Sequence, residues 1–144
     1  MERDWANWKG YTTPTQEEIN QALYAGQGRK SKYNVDHSAK GKEERTLDGR
    51  VFDSKRELEV YRDYVKPNVN IGVFRDLRFQ VPFDLNVAAP GGFKVKIGSY
   101  RADFCMFDRA GKLVVIEAKG HETPLWKRTR KHFEVEYGLR IMTL

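Results

Sequence analysis

Cysteine is nearly absent from this sequence, since Cys105 is the only one. One cysteine excludes an intrachain disulfide framework, and with three scattered histidines it leaves no zinc ligand set at a recognisable spacing. Long apolar runs are also missing. No stretch approaches the length that crosses a bilayer, and the start, MERDWANWKG, lacks the apolar core of a secretory signal. We therefore expect a soluble protein of a reducing cytoplasm, with no membrane partner.

The excess of basic over acidic residues indicates the kind of partner. The 144 residues include 26 Lys and Arg against 20 Asp and Glu, a formal net charge of +6. Nucleic acid, with its dense row of phosphates, is the usual partner of such a protein, although many basic proteins bind no polyanion. With 40% hydrophobic residues, the chain is long enough for one packed core and too short for two ordinary domains.

Residues 1–50 differ from the rest because apolar residues are sparse and show no strand-like alternation. We interpret them as an N-terminal arm ahead of a core at residues 51–144. Within the arm, the capping-box spacing of Thr15-Gln-Glu-Glu18 predicts a short helix from about residue 15 to 25. The first eleven residues of the arm hold three large aromatic residues, too many for a free tail, which we expect to pack on the core or on a partner subunit: Trp5, Trp8 and Tyr11.

The second half of the arm, from Gly26 to Arg50, is rich in lysine and arginine. This composition suits a loop that orders on a polyanion, and it suits a solvated linker about equally well. Its candidate phosphate contacts are Arg29, Lys30 and Lys32.

Beyond the arm, the pattern predicts a helix, three strands, a second helix and a last strand. The first helix begins at Ser54 and runs to about Val65, ending before Pro67. Residues 77–87 alternate without a break, with every apolar residue on one face, and Pro82 on the other face indicates a sheet edge.

Further strand-like runs follow at residues 93–97, 100–107 and 112–119. Thr123-Pro124 caps the second helix, Gly138 ends it, and residues 139–144 form the last strand. The fold class is therefore α/β in an αβββαβ order, with a mixed central sheet flanked by helices and preceded by the arm.

A hairpin between two of these strands brings acidic residues together. Asp108-Arg-Ala-Gly-Lys112 fits a three-residue loop with Gly111 in the left-handed position. This register sets Asp103 opposite Glu117 at a Cβ separation of roughly 5 Å, and Lys119 projects from the same face. Two carboxylates this close repel each other unless a cation or a shared proton relieves them, and Mg²⁺ with oxygen ligands is the natural candidate.

A third carboxylate comes from the first helix. At 3.6 residues per turn Glu57 falls inside the apolar stripe, whereas Glu59 points to solvent. A buried carboxylate is costly unless it is paired or metal-bound, so we expect Glu57 to meet the other two.

Each of these residues also has a structural alternative. Glu57 has capping-box spacing with Ser54, the pair Glu117 and Lys119 could be an ordinary charged sheet face, and Asp103 could cap a turn. Their convergence on one cluster favours a functional site. Cys105 is interpreted as a small core residue rather than a nucleophile.

The residue pattern of the second helix predicts a surface that contacts a polyanion. Trp126, Phe133 and Tyr137 share a buried stripe, while basic residues project elsewhere or border it: Lys127, Arg128, Arg130 and Lys131. Basic residues on an exposed helix face are expected to hold backbone phosphates of a nucleic-acid partner, and the alternative is a solvated amphipathic helix. His121, before this helix, is expected to be exposed.

Five short motifs carry a family resemblance, and their order and spacing are specific: Lys32-Tyr33-Asn34, Phe52-Asp-Ser-Lys-Arg-Glu57, Gln80-Val-Pro-Phe-Asp-Leu85, Tyr100-Arg-Ala-Asp-Phe104 and Glu117-Ala-Lys-Gly120. From about residue 30 onward the chain resembles the PD-(D/E)XK nuclease superfamily, and more closely small phage-encoded Holliday-junction resolvases. Ala102 stands where the family usually has a proline before the first acidic residue, which is a common departure.

The resemblance implies a restriction-endonuclease-like core in which Asp103, Glu117 and the Ala118 carbonyl surround Mg²⁺, with Mn²⁺ as a substitute. It implies that Glu57 completes the site and that Lys119 positions the attacking water or steadies charge on the phosphate. Arg101, within the fourth motif, joins the candidate DNA contacts.

The implied function is a metal-dependent endonuclease that resolves four-way DNA junctions in phage recombination or replication, in the host cytoplasm. A homodimer is expected, because resolution needs two incisions and each chain has one site. Two alternatives stay open: the same site acting on another DNA substrate, and a DNA-binding module that has lost catalysis.

Overall fold

A four-stranded sheet organises residues 35–144, the part of the chain that the computed structural model describes. The elements in chain order are α1 (Ala39–Glu43), β1 (Thr46–Leu47), β2 (Arg50–Val51), α2 (Lys55–Val60), a π-helical turn (Tyr61–Val65), α3 (Lys66–Asn70), β3 (Arg75–Ala88), β4 (Lys94–Phe107), β5 (Leu113–Glu117), α4 (Pro124–Tyr137) and β6 (Ile141–Thr143). The sheet order is β3-β4-β5-β6, antiparallel except for the parallel pair β5 and β6. The predicted α/β class with a mixed sheet is confirmed.

Two hydrophobic cores cover the two faces of the sheet. The first core lies under the α2 region: Phe52, Val60, Tyr61, Val65, Phe74, Phe104, Met106 and Ile116. The second core lies under α4: Leu85, Tyr100, Ala102, Cys105, Val115, Trp126, Phe133 and Ile141. Val115 contacts the second core while Val114 and Ile116 on either side contact the first, so the cores lie on opposite faces. Cys105 is buried, as predicted.

Residues 36–51 pack onto the sheet through a buried arginine and through Asp48, which accepts from the Tyr61 hydroxyl and pairs with Lys66. Arg45 is 5% exposed, and its guanidinium donates to the carbonyl oxygens of Asp36 (2.9 Å), Gly41 (3.1 Å) and Phe52. Leu47 packs on the first core. Residues Asp36–Leu144 form one compact unit, while the boundary at residue 50 between arm and core stays a prediction.

The first helix runs further than its sequence indicates. A break before Pro67 was expected, but helical structure continues to Asn70. The π turn explains this, because the Lys66 N–H bonds the Tyr61 carbonyl five residues back. Pro67 then falls in the first turn of α3, the part of a helix that tolerates proline.

Strand β3 does not present all its apolar residues to one face, so that prediction was wrong. Leu77 and Phe79 pack on the first core, whereas the later residues Val81, Phe83 and Leu85 contact the second. The switch occurs at Gln80, whose φ of 52° lies in the left-handed region. One residue in that conformation rotates the strand and sends the following side chains to the other face.

The other strand predictions are confirmed with one adjustment. Residues 93–97 and 100–107 form one long strand, β4, and β3 with Pro82 is an edge strand. The β4–β5 hairpin has the predicted register: Phe104 pairs with Ile116, the Asp108 N–H bonds the Lys112 carbonyl at 2.9 Å, and Gly111 has a φ of 78°.

Helix α4 begins and ends as predicted. The Thr123 side chain accepts from the Trp126 N–H, and Gly138 ends the helix in the left-handed conformation. Trp126 and Phe133 are buried, but Tyr137 is 37% exposed, so the buried stripe is shorter than expected. Tyr137 lies in the last turn, where its ring packs on Phe83 and Phe133 and its hydroxyl donates to the Asp84 carbonyl at 2.6 Å. No helix within residues 35–144 is long and apolar enough to cross a membrane.

Candidate active site

Three carboxylates from three elements meet at the point where β3 and β4 change faces. Glu57 comes from α2, Asp103 from β4 and Glu117 from the end of β5. The β3–β4 register sets Gln80 opposite Asp103, between the pairs Phe79–Phe104 and Val81–Ala102. The Gln80 amide nitrogen donates to Glu57 Oε1 at 2.7 Å and to Asp103 Oδ1 at 3.1 Å. One amide thus links the helix carboxylate to the strand carboxylate.

Glu57 both caps its helix and faces the cluster. Its N–H bonds the Ser54 hydroxyl at 3.1 Å, and its Oε2 accepts the Asp53 N–H at 3.0 Å. Oε2 of Glu57 therefore bonds a backbone N–H at the start of the helix, much as the capping alternative expects, while Oε1 accepts from Gln80. The side chain is on the buried face and Glu59 is exposed, as predicted. Burial, and after it the negative charge of Asp103, raises the pKa of Glu57 to about 7.

Asp103 lies opposite Glu117, one residue beyond the paired Phe104 and Ile116. Its Oδ2 accepts the Ala118 N–H at 2.8 Å. Burial raises the pKa of Asp103, and the hydrogen bonds from Ala118 and Gln80 oppose that rise. Ala118 therefore contacts the cluster through its amide, in addition to the carbonyl role that the family resemblance implies.

Glu117 has a cation and a phenol as partners. Lys119 Nζ lies 3.0 Å from Glu117 Oε1 and 5.0 Å from the centre of the Trp126 ring. The Tyr100 hydroxyl donates to Glu117 Oε2 at 3.0 Å, and burial raises the pKa of Tyr100, so it remains a donor. Burial and the charge of Asp103 raise the pKa of Glu117, and Lys119 opposes this. The ammonium group is thereby held beside the carboxylates.

The donor set fits a hard divalent cation. Two buried carboxylates, Glu57 and Glu117, and the half-buried Asp103 all have raised pKa values beside one ammonium, so another positive charge would relieve their repulsion. Within residues 35–144, no group of three or more His, Cys, Asp or Glu side chains is arranged closely enough to hold a metal as it stands. Gln80 between Glu57 and Asp103 accounts for this, because its amide lies between their oxygens.

Sequence reasoning missed two members of this cluster, Gln80 and Tyr100. Gln80 was named as a polar-face residue of a regular strand and as the start of a motif, and alternation cannot reveal a residue with positive φ. Tyr100 was read only as a motif residue. A polar residue directly opposite Asp103 in the register was the signal that could have identified Gln80.

The candidate DNA contacts within the described residues differ in exposure and in their ion pairs. Lys127, Arg128 and Lys131 are exposed on α4, as predicted. Arg130 is tied to Glu122 at 2.8 Å and to Glu134 at 3.5 Å, which reduces its availability to phosphate. Arg101 is exposed, 3.7 Å from an Asp53 carboxylate oxygen, and His121 is exposed as expected.

Several predictions lie outside the described residues. These are the short helix at residues 15–25, the aromatic residues Trp5, Trp8 and Tyr11, and the basic residues Arg29, Lys30 and Lys32.

Comparison with known proteins gives a family without an activity. Neither the curated proteins nor the solved structures contain a match to the chain. One family profile matches residues 30–142, and its description is protein of unknown function (DUF1064). The resemblance to PD-(D/E)XK nucleases therefore stays a prediction. Because the match spans well over half of its length, the chain belongs to the DUF1064 family.

Proposed function

We propose that this chain is a metal-dependent DNA endonuclease of the PD-(D/E)XK type, acting on four-way junctions in the cytoplasm. The observation that carries the proposal is the meeting of Glu57, Asp103 and Glu117 beside Lys119. A binding module gains nothing from crowding buried carboxylates next to phosphate, since they repel the substrate and destabilise the fold. A hydrolase needs such a cluster to hold a cation.

In this proposal Asp103, Glu117 and Glu57 hold Mg²⁺ or Mn²⁺, with the Ala118 carbonyl as a further ligand. When bound, the cation supplies a water of lowered pKa and neutralises charge on the phosphodiester. The protein's own contribution is positioning. Asp103 is oriented by the Ala118 N–H and Glu117 by the Tyr100 hydroxyl, which limits how far either carboxylate can turn.

Lys119 is the group that contacts the reacting phosphate in this proposal. Its side chain is 22% exposed, and its ammonium lies 3.0 Å from a carboxylate oxygen of the nearly buried Glu117. The Trp126 ring beside it restricts its position. An ammonium held in this way can donate a hydrogen bond to a non-bridging phosphate oxygen as negative charge develops there.

A panel of DNA substrates tests the proposal. A four-way junction, a fork and a linear duplex of shared sequence are incubated with the protein in Mg²⁺ or in chelator. We expect paired cuts in the junction with Mg²⁺ and none with chelator. Asp103→Asn should bind the junction without cutting it, and the exposed control Glu59→Gln should cut like the parent protein.

The outcomes separate the alternatives that the sequence left open. Preferential cutting of the fork or the linear duplex would keep the nuclease and replace the substrate. Binding of DNA by the parent protein with no cutting in Mg²⁺ or Mn²⁺ would favour a binding module. Cutting by Asp103→Asn at the parent rate would contradict the site.

We also propose a homodimer, because each chain contributes one cluster and junction resolution needs two incisions. A twofold dimer matches the symmetry of a four-way junction. Sedimentation of the full chain, alone and with the junction, tests this. A protein that remains monomeric in both conditions and nicks one strand would contradict the dimer and leave the nuclease proposal standing.

A further inference from the structure

A groove runs between α4 and the end of the β3–β4 hairpin, away from the carboxylate cluster. It has a volume of about 560 Å³, and its lining residues come from both walls: Asn86, Val87, Ala88, Lys94, Arg128, Lys131, His132, Val135 and Glu136. Helix α4 connects it to the candidate active site. Trp126, in the first turn, lies against Lys119, and Lys131 follows about 8 Å along the helix axis.

The groove is positively charged. Lys94, Arg128 and Lys131 are exposed, and none of them forms an ion pair with another residue of the described range. Glu136 is the one acidic residue of the lining, so two net positive charges remain with His132 neutral. Unneutralised cations that face one groove are complementary to a polyanion.

The walls of the groove are fixed to each other. Glu136 accepts the Asn86 N–H at 2.8 Å and its side-chain amide at 2.7 Å, and His132 Nε2 lies 2.8 Å from the Asn86 carbonyl oxygen. Asn86 follows the register shift of β3, so these bonds tie an irregular strand to the helix. The hydrogen bonds from Asn86 lower the pKa of Glu136, which keeps its charge directed at the strand. The groove is therefore formed before any ligand arrives.

The remaining lining of the groove is apolar, and such a surface favours single-stranded over double-stranded nucleic acid. Val87 and Val135 are 40% and 78% exposed, and Ala88 lies beside them. A duplex hides its bases and presents mainly phosphate and sugar, so it would leave this apolar surface unused. An unpaired strand exposes the apolar faces of its bases together with its phosphates. The volume also suits one or two nucleotides, since pockets of about 300–1,000 Å³ take ligands of that size.

We propose that this groove binds an unpaired segment of the DNA substrate, with Lys94, Arg128 and Lys131 on its phosphates and Val87 and Val135 against its bases. The inference rests on the proposed nuclease function and deepens it. It assigns to the enzyme a substrate with an unpaired strand next to the scissile phosphate, as at an open branch point.

The test measures binding in chelator, so that no cleavage is needed. A labelled oligothymidine and a duplex of equal length are titrated against the full chain with two charges removed, Lys94→Gln and Lys131→Gln together. Arg109→Gln with Lys112→Gln, in the β4–β5 loop, is the matched control for net charge. A third variant, Val135→Asp, probes the apolar wall without removing a cation.

We expect the groove pair to weaken oligothymidine binding by at least about tenfold relative to the control pair at about 50 mM salt. The slope of log affinity against log salt should fall by about 1.4, since each phosphate contact on a single strand contributes about 0.7. Val135→Asp should weaken oligothymidine binding more than duplex binding.

Equal effects of the groove pair and the control pair would overturn the inference, as would a loss confined to the duplex. A groove effect seen only with oligouridine would replace DNA by RNA and overturn it too. These results are independent of the proposed function, which fails instead if the parent protein leaves every DNA substrate intact in Mg²⁺.

Discussion

Replacing Glu57 by glutamine should remove the part of the pH dependence of stability that this carboxyl contributes in the metal-free protein. The pKa of this carboxyl is raised from 4.5 to about 7 in the folded protein. Between these two pH values the folded state holds a proton that the unfolded chain has lost. The free energy of unfolding therefore falls as pH rises through this window, by up to about 1.4 kcal/mol per unit.

Over the whole window the loss amounts to roughly 1–3 kcal/mol, the lower figure allowing for the softer response of real protein interiors. Asp103 and Glu117, whose pKa values are also raised, act in the same direction. The parent protein should thus be less stable near pH 8 than near pH 5 in chelator, and Glu57→Gln should have a shallower slope. A divalent cation at about 100 times its dissociation constant should restore about 2.7 kcal/mol to the parent at the higher pH.

Urea denaturation followed by tryptophan fluorescence, at several pH values in chelator, measures this slope. Glu59→Gln is the matched control, because Glu59 is exposed on the same helix. Equal slopes for the parent and Glu57→Gln would refute the assignment of a strained carboxylate cluster. If the dependence of unfolding free energy on pH becomes shallower in both Glu57→Gln and Glu59→Gln, the cause is instead the general loss of negative charge.

Three further predictions concern the same cluster. Asp103→Asn and Glu117→Gln should each abolish cleavage and leave junction affinity unchanged or tighter, since each removes a negative charge beside phosphate; weaker binding by both in a gel-shift assay would contradict this. Gln80→Met keeps the length of the side chain but loses the amide that lowers the pKa of Asp103. The pH at which half of the pH-dependent stability is lost should therefore rise. An unchanged pH for that half loss would remove Gln80 from the site. Tyr100→Phe should cost about 1–2 kcal/mol of unfolding free energy, because Glu117 Oε2 loses a buried donor, and thermal denaturation that matches the parent would argue against that bond.

Local patterns in the sequence were sufficient for most of the fold. Asp108 to Lys112 predicts the β4–β5 register because a glycine in the left-handed position defines the loop length, and the loop length defines the pairing. Thr123 and Gly138 bound α4 because capping and left-handed termination depend on neighbouring residues alone. These features need no information from distant parts of the chain.

The position of Glu57 on the buried face also followed from sequence, because helical periodicity depends only on spacing. Its partner did not. Gln80 reaches Glu57 across 23 residues of sequence, and no local pattern encodes a contact of that separation. The same holds for the Asn86 network, which links a strand to a helix 50 residues later and forms one end of the groove.

Alternation and proline rules failed where backbone geometry departed from regular values. Strand β3 has unbroken alternation in its sequence, yet the left-handed φ of Gln80 divides its apolar residues between two cores. Proline usually breaks a regular helix, yet the π turn before Pro67 accommodates this residue. The sequence by itself determined most of the elements after residue 51, the hairpin register and the carboxylates that could meet. Only the tertiary structure decided which amide and hydroxyl groups orient them, because burial and long-range packing select conformations that local preferences disfavour.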